Sequence, residues 1–404
     1  MADTSLTPEF APLRLKKREE RRLRAGHLWI YSNEVDVEAT PLKQLEPGQP
    51  VEIQAHNGKP LGTGYANPHS LICARLVSRD PAHPLSPSLI VHRLKVALGL
   101  RQRIYGQPYY RLVFGESDGL PGLVVDRYGE VCVAQFTTAG MERMKEAVLA
   151  ALDKVLKPRA VLLRNDSAIR QLEGLPGYVE SALGEVPETM EVVEGAARFR
   201  VPLLGGQKTG WFYDQRDNRA RLARYVKGAR VLDVFSYVGA WGVQAALAGA
   251  ERVECVDASE TALAALRDNA TLNGVAERIG TRRGDAFEVL RALREARERF
   301  DVVIVDPPAF IKRRKDHEEG LAAYRRLNEL AMTLLERDGL LVSCSCSHHL
   351  AREELVHILL AAARHLDRSL QILEHGYQGP DHPIHPAIAE TDYLKVVFAR
   401  VLPA

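Results

Sequence analysis

Residues 231–242 read VLDVFSYVGAWG, and the fold turns on how they are parsed. An apolar run carries the chain to Asp233. Phe235, Ser236 and Gly239 then form a turn, and a helical pattern continues to a stop at Gly249. A glycine in such a turn lets the backbone approach a ligand closely, and the helix that follows offers amide donors at its start. Working outward, ERVECVDA reads as a strand ending near Asp257, ETALAALRDNATLNG as a helix, and FDVVIVDPP as a strand ending at Asp306. Short strands alternating with helices from about residue 215 predict an α/β fold with a parallel, doubly wound sheet. Ligands of such sheets sit beyond the carboxyl ends of the strands.

Asp233, Asp257 and Asp285 form an ordered set of three acids at the ends of the first three strands. Asp257 is placed to accept hydrogen bonds from a ribose, a geometry that a nicotinamide enzyme would also use. However, the chain has no G-x-G-x-x-G here, and Asp285 in RRGDAFEVL follows at the next expected strand end. That third carboxylate is what an adenine-binding methyltransferase site needs. The ordered set resembles the motifs of class I S-adenosylmethionine-dependent methyltransferases. The resemblance implies S-adenosyl-L-methionine as cofactor, bound with its methionine end near Phe235 and Gly239 in the turn that also holds Asp233 and Ser236. It implies ribose at Asp257 and adenine near Asp285 and Ala286.

The fourth strand ends in VDPPAF. Two prolines remove backbone donors and stiffen the loop, so Asp306 is held at the sheet edge, where a flat ring stacked on Phe310 would meet it. The fifth strand, LLVSCSCSHHL at 340–350, alternates serines with Cys344 and Cys346; at a period of two, both thiols face one side and Ser343, Ser345 and Ser347 the other. A thiolate beside Asp306 suits one chemistry in particular. Carbon 5 of cytosine is a poor nucleophile until a thiolate adds to carbon 6. Cys346 is the expected nucleophile, because Cys344 lies deeper in the apolar strand. A thiol of ordinary acidity needs a neighbouring cation or hydrogen bonds, with His348, His349 or a lysine near the RNA as candidates.

The whole chain has 404 residues with 46% apolar content, enough for two or three domains. No apolar run approaches the roughly 20 residues that cross a bilayer, and MADTSLTPEF lacks the features of a signal peptide, so a cytoplasmic protein is expected. Five scattered cysteines show no metal-ligand spacing and read as thiols of a reducing compartment. Net charge is only +2, yet Arg14 to Arg24 packs seven basic residues against two acidic ones, and KRRK stands at 312–315. Lys16, Lys17, Arg18, Arg21, Lys312 and Arg313 are therefore candidate RNA contacts. RDPAHPLSPS at 79–88 reads as a linker after a small β-rich module. An α+β region follows, and a hairpin in TMEVVEGAARFRVPLL leads into the last domain. The histidines of HGYQGPDHPIHP read as a polar loop, with no metal expected, and EEGLAAYRRLNELAMTLLERDG as a helix packing Leu321, Tyr324, Leu327, Leu334 and Leu335 on the sheet.

GHLWIYSNEV, GTGYANPHSLICARL, GESDGLPGLVVDRYG, GQKTGWFYDQRDNR, VFSYVGAWGV, DPPAF, SCS and DHP together resemble, over nearly the whole chain, the bacterial ribosomal RNA large-subunit methyltransferase I family of 5-methylcytosine enzymes. The resemblance implies a Rossmann-like methyltransferase domain at 191–404, preceded by a PUA domain at 12–80 and a central α+β domain at 89–190. It implies large-subunit ribosomal RNA as partner, no membrane, and Cys346 and Asp306 as catalytic residues, and it adds Gln215 and Asp306 to the cofactor-binding set. Homodimer formation is left open. Two positions depart from the pattern: DPPAF lacks the second cysteine that releases product in many RNA 5-methylcytosine enzymes, and His348 stands where relatives often carry glycine. The release base is thus Asp306, Cys344 or a water. Two other readings are a base-nitrogen methyltransferase that does not use the cysteine and a non-catalytic RNA-binding assembly factor.

Overall fold

The computed structural model describes residues 10–80 and 82–404. The stretch read for a leader lies outside them up to residue 9, as does Pro81 of the expected linker. Among the described residues no helix is long and apolar enough to cross a membrane. The chain divides into two compact units: the first takes the described residues up to Glu188 with Leu203–Trp211 and Asp381–Ala389, and the second the rest.

The first unit holds two five-stranded sheets. One is built from strands between Ala11 and Ser78, in the range expected as a PUA module, and closes on Leu13, Ile30, Val51, Ile53 and Leu76. The other runs from Tyr109 to Leu183, with helices Pro87–Ile104 and Lys145–Leu156 beside it. Ser86 starts the first of these helices by accepting from the Leu89 N–H, with Pro87 at its first position, where a missing donor costs nothing. A buried ion pair, Arg75 to Glu173 at 3.0 Å, ties the sheets together. The late histidine-containing loop contributes Asp381, whose carboxylate accepts from the Arg111 N–H at 2.9 Å, and the buried His382.

The second unit opens with the expected hairpin, Thr189–Glu194 against Ala197–Pro202. Its main elements are β1 (Arg230–Val234), α1 (Ala240–Leu247), β2 (Arg252–Asp257), α2 (Glu260–Leu272), β3 (Ile279–Arg283), α3 (Ala286–Glu295), β4 (Phe300–Val305), α4 (His317–Thr333), β5 (Leu335–Ser345), α5 (Arg352–His365), β6 (Arg368–Gly376) and β7 (Lys395–Pro403). They form one seven-stranded sheet in the order β3-β2-β1-β4-β5-β7-β6, parallel except for β7, which runs antiparallel to both its neighbours. Continuous apolar strands such as Val302 to Val305 fit a sheet covered on both faces.

Two expectations shift. The α4 helix stops at Thr333, and Leu335 pairs with Phe300 as the start of β5, so tertiary pairing overrides the leucine periodicity that predicts a longer helix. Phe310, expected only as a platform for a flat ring, is half-buried and also packs against Tyr324 at 4.8 Å between ring centroids and against Phe287 at 6.3 Å, so it takes part in the core as well.

Candidate active site

Register gathers the site. Val234 pairs with Val256 and Val305, and Val305 pairs with Ser343. The next residues along these strands, Phe235, Asp257, Asp306 and Cys344, therefore stand in one row at the carboxyl edge of the sheet.

The turn after β1 is strained. Phe235 and Tyr237 have φ of 68° and 48°, values that non-glycine residues seldom adopt, and Gly239 has 88°. Amides of Phe235 and Ser236 both donate to the Val256 carbonyl, the Ser236 hydroxyl is buried on that same carbonyl, and the Tyr237 N–H donates to Asp257 at 2.9 Å. Asp257 also accepts from Ser259 N–H, while exposed Asp285 caps α3 through the N–H groups of Phe287 and Glu288, with Ala286 buried beside it.

Asp233 is fully buried. One oxygen accepts from the Gly242 N–H at 3.0 Å; the other, Oδ1, has no hydrogen-bond partner among the described residues. Burial, and then the nearby Asp306 and Asp257 carboxylates, push its acid up to about 8. A second acid is clamped close by. Gln215 donates to both oxygens of Asp306 at 3.1 Å, its own orientation fixed because its carbonyl accepts from Asn218, and Trp241 Nε1 donates to Asp306 at 3.0 Å. Burial nevertheless raises the Asp306 acid.

Gly242 allows α1 to sit this close: a Cβ there would lie 2.6 Å from Cys255 Sγ and 3.2 Å from the Asp233 carboxylate. Gly242→Ala is expected to cost about 2 kcal/mol in urea unfolding, because the overpacked atoms belong to a strand and a buried acid that have little room to move. An unchanged midpoint would mean α1 slides freely on the sheet.

Cys344 is 1% exposed and burial pushes its thiol well above the ordinary range, so it is unreactive near neutral pH. Cys346, past the end of β5, is half-buried, and its thiol faces the Pro307 carbonyl at 3.9 Å, one residue from Asp306. The serine face is structural: the Tyr324 hydroxyl joins Ser345 at 2.9 Å and Ser347 at 2.8 Å, all buried. His348 and His349 pack ring to ring, and burial, then His349, lowers the His348 pKa, so His348 is a weak candidate for a cation beside the thiol. Lys395, which the sequence reading passed over, lies buried at the same edge with its Nζ on the Ser347 carbonyl. A lysine opening the otherwise apolar KVVFARV was the available signal. Trp241 and Tyr324 were also missed in their polar roles.

Of the candidate RNA contacts, Lys16, Lys17, Arg18 and Arg21 are exposed in the first unit, with Lys16 Nζ on the Asn33 carbonyl. Lys312 and Arg313 are exposed just beyond DPPAF, Arg313 paired with Asp316 at 3.0 Å.

A cationic ligand fits the edge described above. The orphaned Asp233 oxygen lacks a donor among the described residues, and the Asp306 and Asp257 carboxylates add to the cost of ionising Asp233, which a sulfonium or an ammonium would relieve. The fold and this acidic pocket define an S-adenosylmethionine-dependent methyltransferase. A model of that description matches residues 163–397, and one of a PUA-like domain matches 13–79. Solved structures share the fold: a SAM-dependent methyltransferase from Streptococcus mutans superposes with a TM-score of 0.82 at 20% identity, covering 97% of this chain and 100% of that one. SMU.776, a methyltransferase complexed with SAH, gives 0.84 at 21% over the same shares. Proteins called ribosomal RNA large subunit methyltransferase I are 36% identical in Shewanella frigidimarina, over 96% of this chain and 99% of that protein, and 36% identical in Salmonella arizonae, over 98% and 99%. The chain belongs to the ribosomal RNA large subunit methyltransferase I family.

Proposed function

We propose that this protein methylates carbon 5 of a cytosine in large-subunit ribosomal RNA through a covalent adduct on Cys346, acting in the cytoplasm where ribosomes are assembled. The observation that carries the reading is the placement of Cys346, half-buried with its thiol facing the carbonyl of Pro307, the residue next to Asp306, while the other thiol of the strand is buried and inert. The relatives' printed name supports the substrate.

S-adenosylmethionine, when bound, supplies an electrophilic methyl group; Asp233, Asp257, Asp285, Ala286 and the 235–239 turn are the residues we assign to holding it. Cys346 thiolate adds to carbon 6 of the cytosine, and the ring's electron pair moves to carbon 5, making that carbon nucleophilic. After carbon 5 gains its methyl group, its proton must leave. We assign that proton to the Asp306 carboxylate, because burial raises its affinity for one while Gln215 and Trp241 hold it in place. Cys344 is already protonated and cannot act as the base. Loss of the proton restores the ring double bond and expels the Cys346 thiolate. The PUA-like domain and the basic run at Arg14 to Arg24 supply phosphate contacts, so RNA affinity falls steeply with added salt.

The test is transfer of labelled methyl to unmodified large-subunit ribosomal RNA, with nucleoside analysis, for wild type, Cys346→Ala and Cys344→Ala. The expected product is 5-methylcytosine, lost only with Cys346→Ala. A methylated base formed by both variants means nitrogen methylation, and RNA binding with no transfer by the wild type means an assembly factor.

A further inference from the structure

We propose that Lys395 is a positioning residue whose ammonium group holds Cys346 as a thiolate, an inference that rests on the reading of Cys346 as nucleophile. Lys395 opens β7, is 3% exposed, and is followed by the buried Val396, Val397, Phe398 and Ala399. A lysine in such a place needs compensation for its lost water. It finds two neutral partners, the Ser347 carbonyl at 2.6 Å and the Tyr393 carbonyl at 2.8 Å.

The geometry brackets the cysteine. Lys395 pairs with Ser345 in the β5–β7 register, and its Nζ reaches forward to the carbonyl of Ser347. Cys346 is the residue between these two anchor points. Two of the three N–H groups of the ammonium are taken by carbonyls, which leaves one for the sulfur's side of the bracket. The clasp also fixes the backbone on the far side of Cys346, so the same side chain orients the thiol and biases its charge.

Electrostatics agree with the placement. Burial lowers the Lys395 pKa to about 8, while Asp392 and then the Cys346 thiolate act to raise it. Arg352 opposes and Glu354 assists these charges, and the Lys395 cation in turn helps lower the neighbouring His348. Near neutral pH the lysine is thus still largely cationic and the histidine largely neutral, which leaves Lys395 as the cation suited to the thiol. When the pair forms, the Cys346 S–H proton leaves to solvent and the ammonium keeps its three protons. As pH rises through about 8 the ammonium deprotonates and the assistance is lost.

The test reads thiol acidity without methyl transfer. Iodoacetamide labelling of Cys346 is followed by peptide mass spectrometry from pH 5.5 to 10 in wild type and Lys395→Met; the other four cysteines are buried. In wild type the labelling midpoint is expected below the roughly 8.5 of a free thiol. Lys395→Met is expected to label about 10-fold more slowly at pH 7 and to converge with wild type near pH 10, where the thiolate forms unaided. A purely structural role would not produce that convergence. Superimposable profiles would overturn the proposal, and so would a wild-type midpoint at or above that of a free thiol, which decides the matter even where a thermal melt shows Lys395→Met unfolded. If the profiles separate as expected but Cys346→Ala still makes methylated RNA, the nucleophile reading fails and the lysine–thiol pair stands. If Cys346→Ala abolishes 5-methylcytosine and the profiles coincide, only the role of Lys395 fails.

Discussion

Cys346→Ala is expected to lower kcat for methyl transfer at least about 10⁴-fold with KM for RNA nearly unchanged, because the proposed mechanism uses Cys346 as the nucleophile and gives it little part in binding. Without addition at carbon 6, carbon 5 of cytosine has no electron pair to offer. Cys344→Ala serves as the contrast. Its thiol is buried and held protonated, so its loss is expected to cost about 1 kcal/mol of stability through a small cavity while leaving kcat within a few-fold. A covalent trap makes the same point without kinetics. RNA carrying 5-fluorocytosine at the target allows addition and methyl transfer, but fluorine cannot leave carbon 5 as a cation, so the thiolate is not expelled. Wild type is expected to accumulate a protein–RNA adduct mapping to Cys346 and stable to denaturant. An adduct on another residue, or equal turnover by Cys346→Ala, would sink the mechanism.

The parts of this site that were legible in the sequence are those set by local rules. Asp257 and Asp306 follow apolar runs, Gly239 precedes a helix, and strand alternation separates the two cysteines from the serines, so type and spacing were enough to mark them. What was not legible depends on pairing across distance. Trp241 was visible in the opening stretch, but its bond to Asp306 exists because β1 and β4 are neighbours while the intervening chain folds outside them. Tyr324 read as one apolar position on a helix, and its hydroxyl's bonds to Ser345 and Ser347 follow only from how α4 lies on β5. Lys395 lies opposite Ser345 because β7 inserts antiparallel between β5 and β6, a strand order that no local pattern announces. The same holds for Leu203–Trp211 and Asp381–Ala389, short segments that belong to the first unit although the chain on both sides of them belongs to the second. Composition does not change at their ends.

Asp233 carries the other large effect, and its sign is opposite to that of a salt-bridged acid. Its folded pKa is raised, from an ordinary 3.8 to about 8, so the folded protein holds the proton more tightly than the unfolded chain does. Below pH 4 both states are protonated and burial of the acid carries no ionisation penalty. Between pH 4 and 8 the unfolded chain ionises and the folded one resists, so stability falls by up to about 1.4 kcal/mol per pH unit, to a ceiling of about 6 kcal/mol. Asp233→Asn removes the slope. Its carbonyl still accepts from the Gly242 N–H, while the new amide donor is left buried at a cost of about 1–3 kcal/mol. Without ligand, Asp233→Asn is therefore expected to be more stable than wild type at pH 8 and less stable at pH 4, as read by urea midpoints. Ligand affinity should move the other way. A cation at the orphaned oxygen needs Asp233 ionised, so S-adenosylmethionine binding to wild type is expected to tighten about 10-fold per pH unit from 6 to 8, with proton release in calorimetry. Asp233→Asn should bind weakly at every pH and release no proton. Flat affinity in wild type across that range would show that the carboxylate is already ionised in the folded protein, and the stability crossover would then vanish with it.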